Sequence, residues 1–204
     1  MPIFDQTLPD GQIVVKNVVP HLSMLDSAIV HHHDQMYQDP AQRKRVDWVV
    51  AHAAGQSVIE VGTATGYVIS QVKADRRAGV DNNIARLLLA KMRYPDINFY
   101  YANIFNLTPF YDQGFDCIIA TEIIEHIKRE TVRFALHHCL RVAPKLVVTL
   151  PFGPNVLTNA EHLWSPTEEL FYEELYNCGM ATRVSYARRV EEFMTFVIER
   201  ISHA

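Results

Sequence analysis

Cysteine is scarce in this sequence, and the few cysteines form no arrangement typical of a metal or redox site. Cys117, Cys139 and Cys178 are odd in number and far apart, without a Cys-x-x-Cys pair. Separated, odd-numbered thiols argue against a disulfide-stabilised secreted fold and against a cysteine-ligated zinc site. We therefore expect three buried thiols in a reducing compartment, and a cytoplasmic protein.

The sequence also has no long hydrophobic run. The longest stretches without Asp, Glu, Lys or Arg, residues 97–111 and 146–160, contain prolines and amides. Each has about 15 residues, fewer than the ~20 that a membrane-spanning helix needs. The N-terminus lacks the basic segment followed by an apolar one that marks a secretory signal. We expect neither a membrane span nor export.

An excess of positive charge is missing as well. Nineteen Lys and Arg residues stand against 23 Asp and Glu residues, which gives a formal net charge of −4. Such a balance provides no general attraction to nucleic acid or to anionic lipid, so a nucleic-acid substrate is disfavoured. A local basic patch stays open. The run Arg43-Lys44-Arg45 could contact an acidic substrate, although a solvated helix face is the commoner meaning of such a run.

Glycine and proline are too few for a collagen-like or low-complexity chain, with 8 and 10 among 204 residues. Hydrophobic residues make up 49% of the sequence, and the length is that of one typical domain. We therefore predict a single domain over residues 1–204. It comprises an N-terminal helical segment, residues 1–55, and a core, residues 56–204.

Apolar runs of strand length alternate with helical periodicity from about residue 56 onward, which is typical of a parallel α/β sheet. Helices are predicted over 81–93 and 131–140, and a third helix is predicted to begin with Ser165 as its cap and Pro166 at its first position. The alternating pattern of the tail predicts a closing antiparallel hairpin over 181–187 and 192–201. The predicted strands are 57–61, 78–80, 97–101, 115–120 and 146–150.

The most informative segment is Val58-Ile59-Glu60-Val61-Gly62-Thr63-Ala64-Thr65-Gly66-Tyr67, an apolar strand that ends in a glycine turn. Asp81 follows at the end of the next strand, where a carboxylate can accept hydrogen bonds from both hydroxyls of a ribose. A strand, a glycine turn and such an acid together indicate a nucleotide-type site. The spacing of Gly62 and Gly66 is not Gly-x-Gly-x-x-Gly, which disfavours a dinucleotide. A tight turn and a simple helix cap are the structural alternatives for the glycines and for Asp81.

These residues resemble the first motif of the class I S-adenosylmethionine-dependent methyltransferases, in which an acid is followed by glycines at alternate positions. Ala64 replaces the middle glycine. The resemblance continues through Tyr101-Ala102-Asn103-Ile104, where the family usually has Asp instead of Asn103, and through Phe115-Asp116-Cys117-Ile118-Ile119-Ala120-Thr121-Glu122-Ile123-Ile124-Glu125-His126. It covers about residues 56–200.

The resemblance implies a Rossmann-like three-layer α/β sandwich. Its seven-stranded, mostly parallel sheet would have the order 3-2-1-4-5-7-6 with strand 7 antiparallel, and the N-terminal helices would form a lid that includes Tyr37. It also implies the S-adenosylmethionine contacts. The glycine turn would lie under the methionine part, Asp81 would bind the ribose, and Asn82, Asn103 and Ile104 would border the adenine. The implied cofactor-binding residues are Glu60, Gly62, Thr63, Ala64, Gly66, Tyr67, Asp81, Asn82, Asn103, Ile104, Thr121 and Glu122.

Methyl transfer to a hydroxyl needs a group that takes up the proton of that hydroxyl or activates it. Glu122, Glu125 and His126 have the i, i+3, i+4 spacing of one helical face after the fourth strand. We predict His126 as the catalytic base, with His162 and Glu125 as further catalytic candidates. A histidine that only hydrogen-bonds a carbonyl is the bland alternative for His126. The favoured substrate is a small metabolite, such as a sugar or a secondary-metabolite intermediate.

The four residues Glu122, Glu125, His126 and His162 also resemble the metal site of small-RNA 3′-terminal 2′-O-methyltransferases. A divalent metal and an RNA substrate are therefore the alternative. Many small-molecule methyltransferases share these residues without a metal, so the metal is not favoured. The acidic charge balance also weighs against RNA. The alternative of another class is a cofactor-binding regulatory subunit without catalysis.

Three further features each have a functional and a structural interpretation. His31, His32 and His33 are consecutive and cannot all face one ion on a helix, so a surface or lid helix is the better interpretation. Trp164 could stack on a substrate ring or pack against the sheet. Asn155 follows the fifth strand and could supply a polar contact.

Overall fold

A computed structural model describes residues 6–7, 13–15, 35–53, 55–108, 110, 112, 114–154 and 156–201. His31, His32, His33 and Asn155 lie outside these ranges. Within them the helices are α1 (Pro40–His52), α2 (Tyr67–Gln71), α3 (Ile84–Arg93), α4 (Val132–Val142) and α5 (Glu168–Tyr176). The strands are β1 (Gln6–Thr7), β2 (Ile13–Val15), β3 (Ser57–Val61), β4 (Arg76–Asp81), β5 (Asn98–Tyr101), β6 (Cys117–Thr121), β7 (Lys145–Pro151), β8 (Thr182–Val190) and β9 (Phe193–Arg200).

The strands form one sheet with the order β1-β2-β5-β4-β3-β6-β7-β9-β8. Strands β5, β4, β3, β6 and β7 are parallel to one another, and β9 pairs antiparallel with both β7 and β8. Numbered among themselves, β3 to β9 have the order 3-2-1-4-5-7-6 with strand 7 antiparallel. The predicted Rossmann-like sheet and its closing hairpin are therefore confirmed.

The N-terminal segment differs from the prediction of helices over residues 1–55. Helix α1 is present, but Gln6–Thr7 and Ile13–Val15 are strands, so the helical prediction was wrong there. The run Ile13-Val14-Val15 is β-branched and pairs antiparallel with β5, residue by residue from Ile13 with Tyr101 to Val15 with Phe99. This pairing occupies the backbone donors and acceptors that β5 would otherwise leave open at the sheet edge.

The central strands are buried on both faces because helices cover each side. Alternate residues of β3 point to opposite faces, so Ile59 packs toward α4 and α5, whereas Val58 packs toward α1, α2 and α3. All three cysteines are free and buried in these packing layers, as predicted. No helix among the described residues has the length and apolarity to cross a membrane.

Two helices begin later than predicted. Helix α3 begins at Ile84 because the Asn83 side chain accepts the amide of Arg86 at 3.1 Å, whereas the prediction began at Asp81. Helix α5 begins at Glu168, and its cap is Thr167 instead of Ser165, since Thr167 Oγ1 accepts the amide of Leu170 at 3.2 Å. The parallel strands end at one common edge of the sheet, and the loops at that edge surround the candidate site.

Candidate functional site

The turn after β3 is built on left-handed backbone at three alternate positions. Gly62 has φ 73°, Ala64 has φ 48° and Gly66 has φ 78°. Gly62 has a second constraint, because a Cβ atom there would lie 2.4 Å from Cδ1 of Ile123. Glycine is therefore required at Gly62. Ala64 stands where the family motif has its middle glycine. Its left-handed backbone costs an L-residue about 1 kcal/mol, so the difference from the motif introduces backbone strain.

Glu60 lies beneath this turn and holds it from the core side. Its Oε2 accepts the hydroxyl of Thr63 at 2.8 Å and the amide of Ile69 at 3.1 Å. Burial raises the pKa of Glu60 to about 7, and the hydrogen bonds from Thr63 and Ile69 oppose that rise. Glu60 therefore joins the turn to the start of α2.

Asp81 connects the same turn to the loop after β4. Its Oδ2 accepts the amide of Ala64 and its Oδ1 accepts the amide of Asn83, each at 2.8 Å. The residue is 6% exposed, and burial raises its pKa against those two hydrogen bonds. The backbone amide of Asn82 also acts on this carboxylate, which has about four acceptor positions, so Asp81 keeps acceptor capacity toward the cavity.

A cavity of about 1420 Å³ opens between this turn and the loops after β4, β5, β6 and β7. It exceeds the ~300–1000 Å³ of common small-molecule pockets, so it can hold a cofactor and a substrate together. Of the predicted site residues, Gly66 and Tyr67 do not line it. Those that do are Glu60, Gly62, Thr63, Ala64, Asp81, Asn82, Asn103, Ile104, Thr121, Glu122, Glu125, His126 and His162.

Tyr67 contributes from outside the cavity by holding a part of the N-terminal segment. Its ring stacks on that of Tyr37 with centroids 4.0 Å apart and an interplanar angle of 20°. Tyr37 lines the cavity, and burial raises the pKa of its hydroxyl. The segment before α1 is thus attached directly behind the glycine turn, where a lid was expected.

Asn103 and Ile104 lie at the end of the cavity that follows β5. The Asn103 side chain accepts the amide of Phe105 at 3.0 Å through Oδ1, which directs its Nδ2 donors elsewhere. Ile104 is only 4% exposed and supplies an apolar wall. A flat ring such as adenine would find both an amide and an apolar contact here.

The segment after β6 does not form the predicted helical face. Ile124–His126 is a single 3₁₀ turn, and Glu122 lies outside it with φ 50°. Glu122, Glu125 and His126 therefore do not share an α-helical face. The carboxylate of Glu122 instead accepts the hydroxyl of Thr149 at 2.9 Å. The helical expectation failed because Trp164 and Leu163 occupy the carbonyls of Ile124 and Glu125, at 3.1 and 2.8 Å.

Glu125, His126 and His162 nevertheless come together in space. Nε2 of His126 and Nε2 of His162 each lie 3.9 Å from Oε1 of Glu125, and the three donor groups lie within 4.8 Å of one another. Glu125 is fully buried, and neither of its carboxylate oxygens has a hydrogen-bond partner among the described residues. Burial first, and the charge of Glu122 second, raise the pKa of Glu125 well above its usual range.

The backbone orients both imidazole rings toward this carboxylate. Nδ1 of His126 donates to the carbonyl of Glu161 at 3.2 Å, and Nδ1 of His162 donates to that of Val156 at 2.6 Å. A carbonyl only accepts, so in each ring Nε2 is the nitrogen that carries the lone pair. Burial and the neighbouring His162 lower the pKa of His126 and favour its neutral form. Asn159 additionally donates to Nε2 of His162 at 3.0 Å.

Three basic side chains line the cavity. The sequence analysis left the role of one of them, Arg45, undecided and missed the other two. Arg45 belongs to the basic run, yet Arg43 and Lys44 are exposed whereas Arg45 is 2% exposed. Arg86 and Lys128 also line the cavity. The helical period of α1 places Arg45, Trp48 and Val49 on its buried side, and this pattern was the one available signal. Trp164 is buried and donates to the carbonyl of Ile124, so it packs against the fold.

The core of the chain is similar to known methyltransferases in sequence pattern and in fold. A family model described as methyltransferase domain matches residues 58–145. None of the curated proteins compared with the chain matches it significantly. Several solved structures share the fold at low sequence identity.

One similar structure is a chain from the complex between the Haloferax volcanii Trm112 methyltransferase activator and a methyltransferase, with 14% identity, TM-score 0.69, and coverage of 85% of this chain and 94% of that chain. Another is magnesium protoporphyrin IX methyltransferase from Synechocystis with bound S-adenosylhomocysteine, with 15% identity, TM-score 0.61, and coverage of 85% and 94%. A third is the methyltransferase domain of bacterial CtHen1, with 16% identity, TM-score 0.61, and coverage of 78% and 99%.

Proposed function

We propose that this methyltransferase acts on one hydroxyl of a vicinal diol on a small molecule, with S-adenosylmethionine as the methyl donor. A family model described as methyltransferase domain matches residues 58–145. The observation that carries the proposal is the cluster of Glu125, His126 and His162 at the cavity wall. A non-catalytic regulatory subunit is the weaker interpretation, since this cluster lies in the cavity that would hold the cofactor.

The cluster fits a divalent cation. The lone pairs on Nε2 of His126 and of His162 lie near one buried carboxylate that has no hydrogen-bond partner among the described residues, and a cation would replace the Asn159 amide at His162. A buried carboxylate without a partner is costly, and a cation removes that cost. The backbone carbonyls on both Nδ1 atoms are the orienting contacts that ligand histidines usually have. Glu125, His126 and His162 would hold the ion, and Glu122 stands beside them with its carboxylate bonded to Thr149.

The residues around the cavity divide the remaining tasks. S-adenosylmethionine supplies the methyl group on its sulfonium, and a divalent cation in the cluster would polarise a hydroxyl oxygen. Asp81 would bind the ribose of the cofactor, and Asn103 and Ile104 would contact its adenine. The neutral Nε2 of His126 would accept the proton of the hydroxyl when no cation is bound. The cavity walls would align the hydroxyl with the methyl group.

The charge of the cavity favours a small, uncharged acceptor over a nucleic acid. Six acidic side chains line it, namely Glu60, Asp81, Glu122, Glu125, Glu161 and Glu192, against three basic ones, Arg45, Arg86 and Lys128. Binding of RNA depends on cationic side chains that neutralise phosphates. The formal net charge of −4 likewise provides no general attraction to a polyanion, whereas a neutral diol, such as a sugar, does not need one.

Methylation of an RNA 3′-terminal ribose is the second candidate. It is favoured by the likeness to the CtHen1 methyltransferase domain, of which this chain covers 99%. The terminal ribose of RNA is itself a vicinal diol, so the Glu125, His126 and His162 cluster suits both acceptors. The charge balance of the cavity places the small molecule first.

A radiolabelled methyl-transfer panel tests the proposal. Purified enzyme with manganese would be given sugars and ribonucleosides, their monodeoxy counterparts, and a short RNA with a normal or 3′-deoxy terminus. We expect transfer to small diols and little transfer to the matched deoxy compounds. Equal transfer to diol and deoxy compounds would show that the paired hydroxyls are not recognised. Transfer to RNA alone would reverse the order of the two candidates.

A further inference from the structure

The two histidines of the cluster differ in what faces their Nε2 atoms. Nε2 of His126 lies 3.9 Å from Oε1 of Glu125, and no described residue hydrogen-bonds it. Nε2 of His162 lies at the same distance from that oxygen, but Nδ2 of Asn159 donates to it at 3.0 Å. The cluster therefore combines one open imidazole, one capped imidazole and a buried carboxylate that has no hydrogen-bond partner among the described residues.

The backbone decides which end of the Asn159 amide faces His162. Oδ1 of Asn159 accepts the amide of Glu161 at 3.0 Å. The amide of His162 donates to the carbonyl of Asn159 at 3.1 Å, which closes a turn between the two residues. Because Oδ1 is held by Glu161, the Nδ2 donor is the group turned toward His162. Nδ1 of His162 donates to the carbonyl of Val156 at 2.6 Å, so Nε2 is an acceptor and matches that donor.

We propose that Asn159 is a positioning residue that caps His162 and thereby sets how tightly the cluster holds a divalent cation. The single lone pair on Nε2 cannot accept an amide hydrogen and bind a cation at the same time, so binding has to displace Nδ2. The lost hydrogen bond makes the affinity for the cation about 2- to 10-fold lower than an uncapped His162 would give. Asn159 is exposed and lines the cavity, so its amide has space to turn away.

This inference rests on the proposed function, and in particular on its cation. It goes further by assigning to Asn159 the control of exchange. Glu125 and Nε2 of His126 can bind a cation as they stand, whereas His162 becomes a ligand only after Asn159 has moved. An amide cap therefore makes the cation more readily exchangeable than three uncapped ligands would.

Calorimetric titration of manganese into chelator-treated protein with S-adenosylhomocysteine tests the cap. Asn159→Ala removes the donor and should bind manganese about 2- to 10-fold more tightly than the wild type. Asn159→Asp keeps an acceptor for the Glu161 amide and places a carboxylate oxygen where Nδ2 stood, so it should bind at least about 10-fold more tightly. Ala160→Asp is the matched control. Ala160 is exposed and does not line the cavity, so the same added charge should change the affinity by less than about 3-fold.

The other outcomes overturn the inference in distinguishable ways. Weaker binding by both Asn159 variants would make Asn159 a support of the turn that carries His162. Tighter binding by Asn159→Asp alone would show that a new carboxylate is a ligand and that the amide does not compete. Equal binding by all four proteins would show that manganese does not use Nε2 of His162. No binding by any of them would refute the cation itself, whereas the methyl-transfer panel tests the methylation of diols separately.

Discussion

The buried Glu60 makes the stability of the apoprotein depend on pH in a direction opposite to that of a carboxylate whose pKa is lowered by folding. Burial raises its pKa from 4.5 to about 7 in the folded chain. Between those two values the folded protein binds a proton that the unfolded chain has released. The free energy of unfolding must therefore fall as the pH rises from about 4.5 to about 7, and it levels off above that range.

The size of this effect follows from the two pKa values. A tenfold change in proton affinity corresponds to about 1.4 kcal/mol, so the rise of the pKa to about 7 corresponds to roughly 3 kcal/mol. Glu60→Gln removes the titration and keeps the shape. Its amide oxygen can still accept the hydroxyl of Thr63 and the amide of Ile69, and its amide nitrogen faces the Thr121 hydroxyl, which lies 3.5 Å from Oε1.

Urea unfolding at several pH values measures the difference directly. Without cofactor, the wild type should lose roughly 2.5 kcal/mol relative to Glu60→Gln between pH 5 and pH 8, because only the wild type releases the buried proton. Asp116→Asn is a useful control at a second carboxylate next to the same sheet, because the pKa of Asp116 is lowered and it titrates below this range. A stability difference that stays constant within about 0.5 kcal/mol across the range would show that Glu60 is ionised in the fold.

Two further predictions concern the loops that meet at Asp81. Gly62→Ala should destabilise the fold by more than about 1 kcal/mol, because φ is 73° and the new Cβ would meet Ile123. Ala64→Gly should leave stability equal or raise it by up to about 1 kcal/mol. Thermal unfolding compares the two variants, and equal effects would contradict the strain assigned to Ala64. Asp81→Ala should lower the affinity for S-adenosylhomocysteine by about 100-fold. It should also lower stability by about 1–3 kcal/mol, because two backbone amides lose their acceptor. Calorimetry measures the affinity and unfolding measures the stability, and unchanged affinity would show that the ribose lies elsewhere.

The fold was predictable from the sequence where one local rule dominates. The β-branched and apolar runs of the central strands are buried on both faces, so their pattern indicated strands almost at the observed bounds. The N-terminal strands were missed because Gln6–Thr7 and Ile13–Val15 are short and gain their structure from pairing with each other and with β5. Pairing partners distant in sequence leave little local signal.

The candidate site, like the fold, was predictable from the sequence only where a local rule applies. Glycines at Gly62 and Gly66 indicate a turn because only glycine tolerates left-handed backbone without cost. The helical spacing of Glu122, Glu125 and His126 was misleading, since carbonyl contacts from Trp164 and Leu163 end the helix after one 3₁₀ turn. The meeting of His162 with Glu125 depends on the loop after β7, which no local spacing encodes.

Binding of one divalent cation at Glu125, His126 and His162 is the feature on which the proposed chemistry depends most. Chelator-treated protein saturated with S-adenosylhomocysteine would be titrated with manganese in a calorimeter, as wild type, as Glu125→Gln and as Glu161→Gln. Glu161 is an exposed carboxylate beside His126, so Glu161→Gln is the matched control. We expect one ion per chain in the wild type and in the control, with affinity at least about 10-fold lower in Glu125→Gln. No binding to the wild type, or equal binding to all three proteins, would contradict a metal at this cluster.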